Sequence, residues 1–332
     1  MLRMPPFELA EPETLEEALA LLAEHGEEAV LVAGGTDLLP NLKHRLLEPK
    51  LVVSLGRVSG LRGIEQQADG SLTIGAMTSL ADVADNAHVL RNAPALAQAT
   101  GLISGPQLRT MGTLGGNVML DTRCQWINQT HFWRKALGYC LKKDGTLCHV
   151  IEGGNRCVAA ASNDSAPALM TLRAELCFAG PAGERRILID ELWRADGIQN
   201  KHVVPGEILV RIILPPPPAG HRGAYGKLRD RDSIDFPLFG CAVRLDLDQD
   251  GKVSDADLCA VALVARPSRV KGVAELLIGT SPGAADFDEA LEAVAALAYR
   301  RCRPLENIPG DAAWRREMVP VYVRRTFRAA VS

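Results

Sequence analysis

Gly112-Thr-Leu-Gly-Gly-Asn117 and Ser162-Asn-Asp-Ser-Ala-Pro167 bracket a segment that holds half of the chain's eight cysteines: Cys124, Cys140, Cys148 and Cys157. Their spacing, C-x15-C-x7-C-x8-C, lacks the close C-x2-C pairs of zinc ribbons and bacterial ferredoxins. Gly138, Gly145, Gly153 and Gly154 interrupt the segment and no apolar period is sustained, so it is not expected to build a core of its own. Four thiolates around one metal centre would supply the missing folding free energy. Trp126, Phe132 and Trp133 would then shield that centre from water, with His131 and His149 as reserve ligands. The competing reading is of unconnected thiols buried as small hydrophobes.

Outside this segment, composition bounds the answer. A chain of 332 residues, 47% apolar and 23% charged, has the makings of two or three ordinary globular units. A net charge of -3 argues against a nucleic-acid binder. The opening MLRMPPFELAEP has no signal-like apolar core and no run is long enough to span a bilayer, which predicts a cytoplasmic chain with reduced thiols and no membrane partner.

Working outward, Thr14-Leu-Glu-Glu17 fits a capping box for a helix ending at Gly26. Ala29 to Val32 reads as a strand running into Ala33-Gly-Gly-Thr-Asp37, with a helix from Leu38 to Leu47. Strand, glycine turn and helix start suit a phosphate, because small residues let backbone amides approach an anion. Leu51 to Leu55 is a strand, Gly63 to Gln67 pairs with Leu72 to Gly75, and helices follow from Thr78 or Ser79 and over Leu90 to Thr100. GTLGGN then reads as a second glycine turn, and two such turns point to a dinucleotide.

Past the cysteines, the pattern predicts a helix from Ala166 to Leu172, a hairpin of Glu175 to Phe178 with Arg186 to Ile189, and a strand from Ile208 to Leu214 stopped by Pro215 to Pro218. Three antiparallel strands (Ala224 to Arg229, Phe239 to Leu247, Ala256 to Val264) and three helices (Pro267 to Leu277, Phe287 to Tyr299, Asp311 to Phe327) complete the chain. Hydrolase, kinase and zincin motifs are missing, so the chemistry is assigned to bound cofactors.

AGGTDLL (33–39), IGAMTSL (74–80), GTLGGN (112–117), SNDSAPAL (162–169), EILVRIILP (207–215) and YGKLRDRDSIDFP (225–237) together resemble the FAD-binding subunits of the xanthine dehydrogenase family of molybdenum hydroxylases. The resemblance implies an α+β, two-subdomain FAD-binding fold of the vanillyl-alcohol-oxidase type over 1–215. A C-terminal α+β domain over 220–332 would hold a three-stranded antiparallel sheet and helices. It further implies FAD contacts from Leu31, Val32, Ala33, Gly34, Gly35, Thr36, Asp37 and Leu38, and from Thr113, Leu114, Gly115, Gly116 and Asn117. Asp164 would hydrogen-bond toward the adenosine ribose or the flavin chain, and Leu209 and Lys227 would lie near the flavin, the plainer reading of Lys227 being a solvent-facing strand lysine.

In most such subunits GGN leads almost directly to the next motif, whereas here the stretch of about 121–160 intervenes. This insertion resembles that of the flavoprotein subunits of 4-hydroxybenzoyl-CoA reductases. That likeness implies a 4Fe-4S cluster on Cys124, Cys140, Cys148 and Cys157, with Cys177, Cys241, Cys259 and Cys302 left as core thiols. It also implies ferredoxin as electron donor and a heterohexamer with a molybdenum-cofactor large subunit and a 2Fe-2S small subunit. The reaction would be reductive dehydroxylation of 4-hydroxybenzoyl-CoA, the alternatives being an oxidative molybdenum hydroxylase or a zinc-bearing docking module. Between Asp121 and Cys157 six basic residues stand against three acidic ones, a surplus that would suit an acidic donor.

Overall fold

The structure is a computed structural model and describes residues 2–332. β1 (Glu8–Ala10), α1 (Leu15–His25), β2 (Ala29–Val32), α2 (Leu38–Lys43) and β3 (Leu51–Ser54) form a first layer, its strands parallel in the order β1-β3-β2. α1 begins where the sequence places it, Thr14 accepting from the Glu17 amide while the Glu17 carboxylate receives the Thr14 amide.

β4 (Ile64–Gln66) and β5 (Leu72–Gly75) form the expected hairpin. Five short helices follow: α3 (Leu80–Asp85), α4 (Ala87–Asn92), α5 (Pro94–Gly101), α6 (Pro106–Met111) and α7 (Leu114–Val118). The insertion contributes α8 (His131–Ala136), and α9 (Ser165–Thr171) leads into β6 (Glu175–Gly180), β7 (Gly183–Leu188) and β8 (Ile208–Leu214). β4, β5, β8, β6 and β7 make one antiparallel sheet with β8 at its centre. The near-continuous apolar run of β8 is explained by that position, since both of its faces are covered. Leu209, Ile212 and Leu214 join the core under the helices, whereas Ile208 and Val210 join the core shared with the first layer.

β9 (His221–Leu228), β10 (Phe239–Leu247), β11 (Val253–Val261) and β12 (Ser268–Arg269) form an antiparallel sheet in the order β12-β11-β10-β9, followed by α10 (Val273–Leu277), α11 (Ala285–Arg301) and α12 (Ala312–Val331). Phe239, Phe287 and Phe327 are fully buried in its core. Each contributes about 1.5–3 kcal/mol through that burial.

Several expectations are corrected. The helix foreseen over Leu90 to Thr100 is broken at Ala93, because Pro94 starts α5 and a residue before proline is held out of the helical region. GTLGGN is a short helix, α7, rather than a turn: Thr113 caps it by accepting from the Gly116 amide at 3.0 Å. The helix from Leu38 stops at Lys43, before Arg45 at φ 53°. Pro267 to Leu277 supplies the edge strand β12 before α10, so the C-terminal sheet has four strands and not three.

Candidate functional site

Two glycine segments meet face to face. A Cβ on Gly34 would fall 1.8 Å from the Met111 carbonyl oxygen, and one on Gly115 would fall 2.7 Å from the Ala76 carbonyl. Only glycine permits backbones this close. Gly35 adds a φ of 72°. Among the described residues, the amides of Gly34, Gly35, Thr36 and Asp37 have no acceptor within hydrogen-bonding distance, which leaves four consecutive backbone donors free. Such a row suits a pyrophosphate. Leu31 and Val32 bring the chain to this loop from β2, Ala33 lies 3.7 Å from where a Gly116 Cβ would stand, and Leu38 opens α2.

IGAMTSL runs alongside α7, with the Gly115 amide donating to Ala76 and the Leu114 amide to Thr78. Leu209 is buried on β8, next to Val210, whose carbonyl accepts the Ala76 amide. Asn117 ties in the third motif: its Oδ1 accepts from the Ser165 amide at 3.1 Å and the Ser165 hydroxyl at 2.6 Å.

Asp164 faces inward rather than toward an open groove. One oxygen accepts from the Tyr225 hydroxyl at 2.7 Å and the other from Lys227 Nζ at 3.3 Å. Burial pushes its carboxyl above the usual carboxylate range against the pull of both partners. Lys227 is no solvent-facing lysine. Its side chain has no exposed surface, and it also donates to the Leu102 and Asp235 carbonyls. Tyr225 and Asp235 were not singled out individually from sequence, although both lie in YGKLRDRDSIDFP.

The insertion closes on itself where Arg123 and Ala160 exchange backbone hydrogen bonds of 2.7 and 2.6 Å. Cys124, Cys140, Cys148 and Cys157 all line one cavity, together with Trp126 and His149 among others. Three of the four thiols are buried, and the small cluster they form with Ile127 and Ala159 is the insert's main apolar packing. The segment does have a small core of its own, contrary to expectation, and three of its five buried members are the cysteines. Burial pushes Cys124 up to about 12, and the other three thiols add to that. Among the described residues no three His, Cys, Asp or Glu side chains converge on a single-ion site. Trp126 stacks near Trp133 and His149, but Phe132 is 83% exposed and shields nothing here. His149 Nε2 is occupied by the Tyr139 carbonyl at 2.6 Å. Cys177, Cys241, Cys259 and Cys302 are buried elsewhere.

The basic surplus of the insert turns inward. Arg123 pairs with Asp37 and stacks on Phe236. Arg134 is 1% exposed and donates to the His44 and Arg45 carbonyls. Lys142 donates to Asp121, Thr122 and the Gly197 carbonyl. What stays exposed is Lys135, Lys143 and Arg156 against Asp121, Asp144 and Glu152, three against three. The charged docking face expected from the sequence is thus absent. Asn307 and Gly197, far along the chain, anchor the insert through Val158, Lys142 and Cys157.

Comparison with known proteins places the chain in a family. Residues 5–217 match the FAD binding domain in molybdopterin dehydrogenase, and residues 223–330 match the CO dehydrogenase flavoprotein C-terminal domain. The pair of matches defines a flavoprotein subunit of an oxidoreductase. The chain belongs to the family of FAD-binding medium subunits of molybdenum hydroxylases, of the carbon monoxide and xanthine dehydrogenase type.

It is 29% identical to the carbon monoxide dehydrogenase medium chain of Hydrogenophaga pseudoflava, over 98% of this chain and 97% of that one. It is 27% identical to the 6-hydroxypseudooxynicotine dehydrogenase complex subunit alpha of Paenarthrobacter nicotinovorans, over 99% and 96%. Among solved structures, carbon monoxide dehydrogenase from Hydrogenophaga pseudoflava superposes with a TM-score of 0.79 at 28% identity, covering 99% of this chain and 98% of that one. No helix among the described residues is long and apolar enough to cross a membrane.

Proposed function

We propose that this chain is the electron-carrying subunit of a molybdenum enzyme, with FAD between the Gly34–Asp37 and Thr113–Asn117 segments and an iron-sulfur cluster in the four-cysteine cavity. Residues 1–215 would form the flavin unit and 220–332 the C-terminal unit. The observation behind the cluster reading is that Cys124, Cys140, Cys148 and Cys157 line one cavity. Ligands spread around a cavity suit a 4Fe-4S cluster better than one zinc ion, which wants four donors at about 2–2.3 Å. Flavin and cluster would supply one- and two-electron chemistry; the protein's part is to bind, orient and exclude water.

The relatives named as medium chain or FAD-binding subunit support a place beside other subunits. A molybdenum-cofactor subunit and a 2Fe-2S subunit are the expected neighbours. Direction of electron flow divides two readings. Relatives named for carbon monoxide, xanthine and nicotinate dehydrogenases support an oxidative hydroxylase. The cysteine insert favours the reductive one, dehydroxylation of 4-hydroxybenzoyl-CoA with reduced ferredoxin entering at the insert, where Phe132 and Leu147 are the most exposed large apolar side chains among the described residues. Iron and acid-labile sulfide on the purified chain, followed by anaerobic reduction of the assembled complex with ferredoxin and 4-hydroxybenzoyl-CoA, test both parts. Zinc without sulfide would remove the cluster, and turnover only with an oxidisable purine or aldehyde would select the oxidative reading.

A further inference from the structure

α2 is gripped at both ends by the insert. At its start, Arg123 pairs with Asp37, the last residue of the free-amide loop and itself bonded to Asn41 at 2.9 Å. At its end, Arg134 donates to the His44 and Arg45 carbonyls at 2.9 and 3.1 Å, where a helix terminus leaves carbonyls without partners. Arg45 holds a left-handed φ of 53° at that point. Beyond it, Leu46 packs on the cluster of Cys124, Cys140 and Cys157. One six-residue helix therefore separates the cysteine cavity from the glycine loop, and both of its ends are held by insert side chains.

We propose that Arg123 and Arg134 are positioning residues that couple the order of the four-cysteine insert to retention of FAD. The inference rests on the reading above, in which the cavity holds a cluster and the Gly34–Asp37 loop holds the FAD pyrophosphate. With the cluster in place, the insert holds α2 and keeps the loop amides aligned. Without it, both arginine anchors loosen and the loop loses its alignment. Coupling between two sites is reciprocal, so bound FAD equally slows loss of the cluster.

The test uses the full chain and two rates: FAD release, followed by recovery of flavin fluorescence, and iron release to a chelator. Stripping the iron should speed FAD release about ten-fold, within the usual span of coupling between sites. Arg134→Met should do the same with iron retained, Arg134→Lys should recover part of the loss, and stripping iron from Arg134→Met should add little. In the wild type FAD should slow iron release, and in Arg134→Met it should not. Arg123→Gln serves as the second variant should Arg134→Met fail to fold. FAD release at the wild-type rate from Arg134→Met and Arg123→Gln would overturn the coupling. A chain isolated without iron removes the cluster reading alone, and the FAD release rates of the arginine variants still decide whether the insert holds the loop.

Discussion

Lys227 Nζ lies 3.3 Å from Asp164 Oδ2, and neither side chain reaches solvent. The pair joins β9 to the N-terminus of α9, across the seam between the sheet of the C-terminal half and the helices behind the glycine loops. Removing one partner leaves the other charge buried. Lys227→Met is expected to cost about 3–5 kcal/mol in chemical unfolding, and Asp164→Asn combined with it should cost less than the sum of the two singles. Additive losses would show that the two groups do not stabilise each other.

Gly34→Ala should yield protein with a flavin-to-protein ratio far below that of the wild type, because its Cβ has no room against Met111. Overpacking of this kind costs about 1–3 kcal/mol where the backbone can shift. Gly26→Ala, at φ 52° with nothing within 4 Å, bears strain without collision and should keep its flavin. Equal flavin content in both variants would place the cofactor elsewhere.

For the cavity, Cys124→Ser, Cys140→Ser, Cys148→Ser and Cys157→Ser should each lose iron, whereas Cys302→Ala, in the C-terminal core and outside the cavity lining, should keep both iron and flavin. Metal analysis of the purified variants decides this. Iron retained in Cys140→Ser would exclude that thiol from the ligand set.

Docking of a donor on the insert is expected to be apolar rather than steered by charge, since its exposed charges balance. Phe132→Asp should slow reduction by ferredoxin more than Lys143→Glu does, as exposed aromatics are frequent anchors of interfaces. Stopped-flow bleaching at several ionic strengths would show a shallow salt slope for the wild type. A steep one that Lys143→Glu abolishes would restore the charged face.

Lys201 gives a pH signature. Burial lowers its ammonium to about 8, below its ordinary 10.5, although it donates to the Leu120 carbonyl and Asn200. The folded state thus sheds this proton before the unfolded state does. Stability from this residue rises as pH climbs from about 8 to 10.5, and its penalty is fully present below 8. The difference in unfolding free energy between wild type and Lys201→Met should move that way across that window. A flat difference would show that the amine reaches water.

What the sequence disclosed was what local rules control. The Thr14 to Glu17 box, the β4–β5 hairpin and the proline stop after β8 are written within a few residues of themselves. Pro94 was equally local, yet the apolar run around it masked the break. The glycine motifs were legible, but not that Gly34 and Gly115 serve backbone contact with Met111 and Ala76. Arg134 and Lys142 count in the sequence toward a basic surplus suited to an acidic donor, because no partner for them is evident in the residues beside them. Their acceptors lie at His44, Arg45 and Gly197, and distant partners of this kind leave no trace in spacing.

The Asn307 latch onto Val158 and Leu263 bears on how the protein is made. Residue 307 leaves the ribosome long after the cysteines, and at roughly 5–20 residues per second that interval lasts many seconds. During it the Val158 carbonyl, beside the cavity, lacks its Asn307 partner, so the thiols are expected to be more open than in the finished chain. A chain truncated before residue 300 should therefore leave Cys124 and Cys157 open to a bulky maleimide, and equal protection in the truncated and full chains would refute this order of events. Completion of translation then acts as the step that fastens the insert to the C-terminal half.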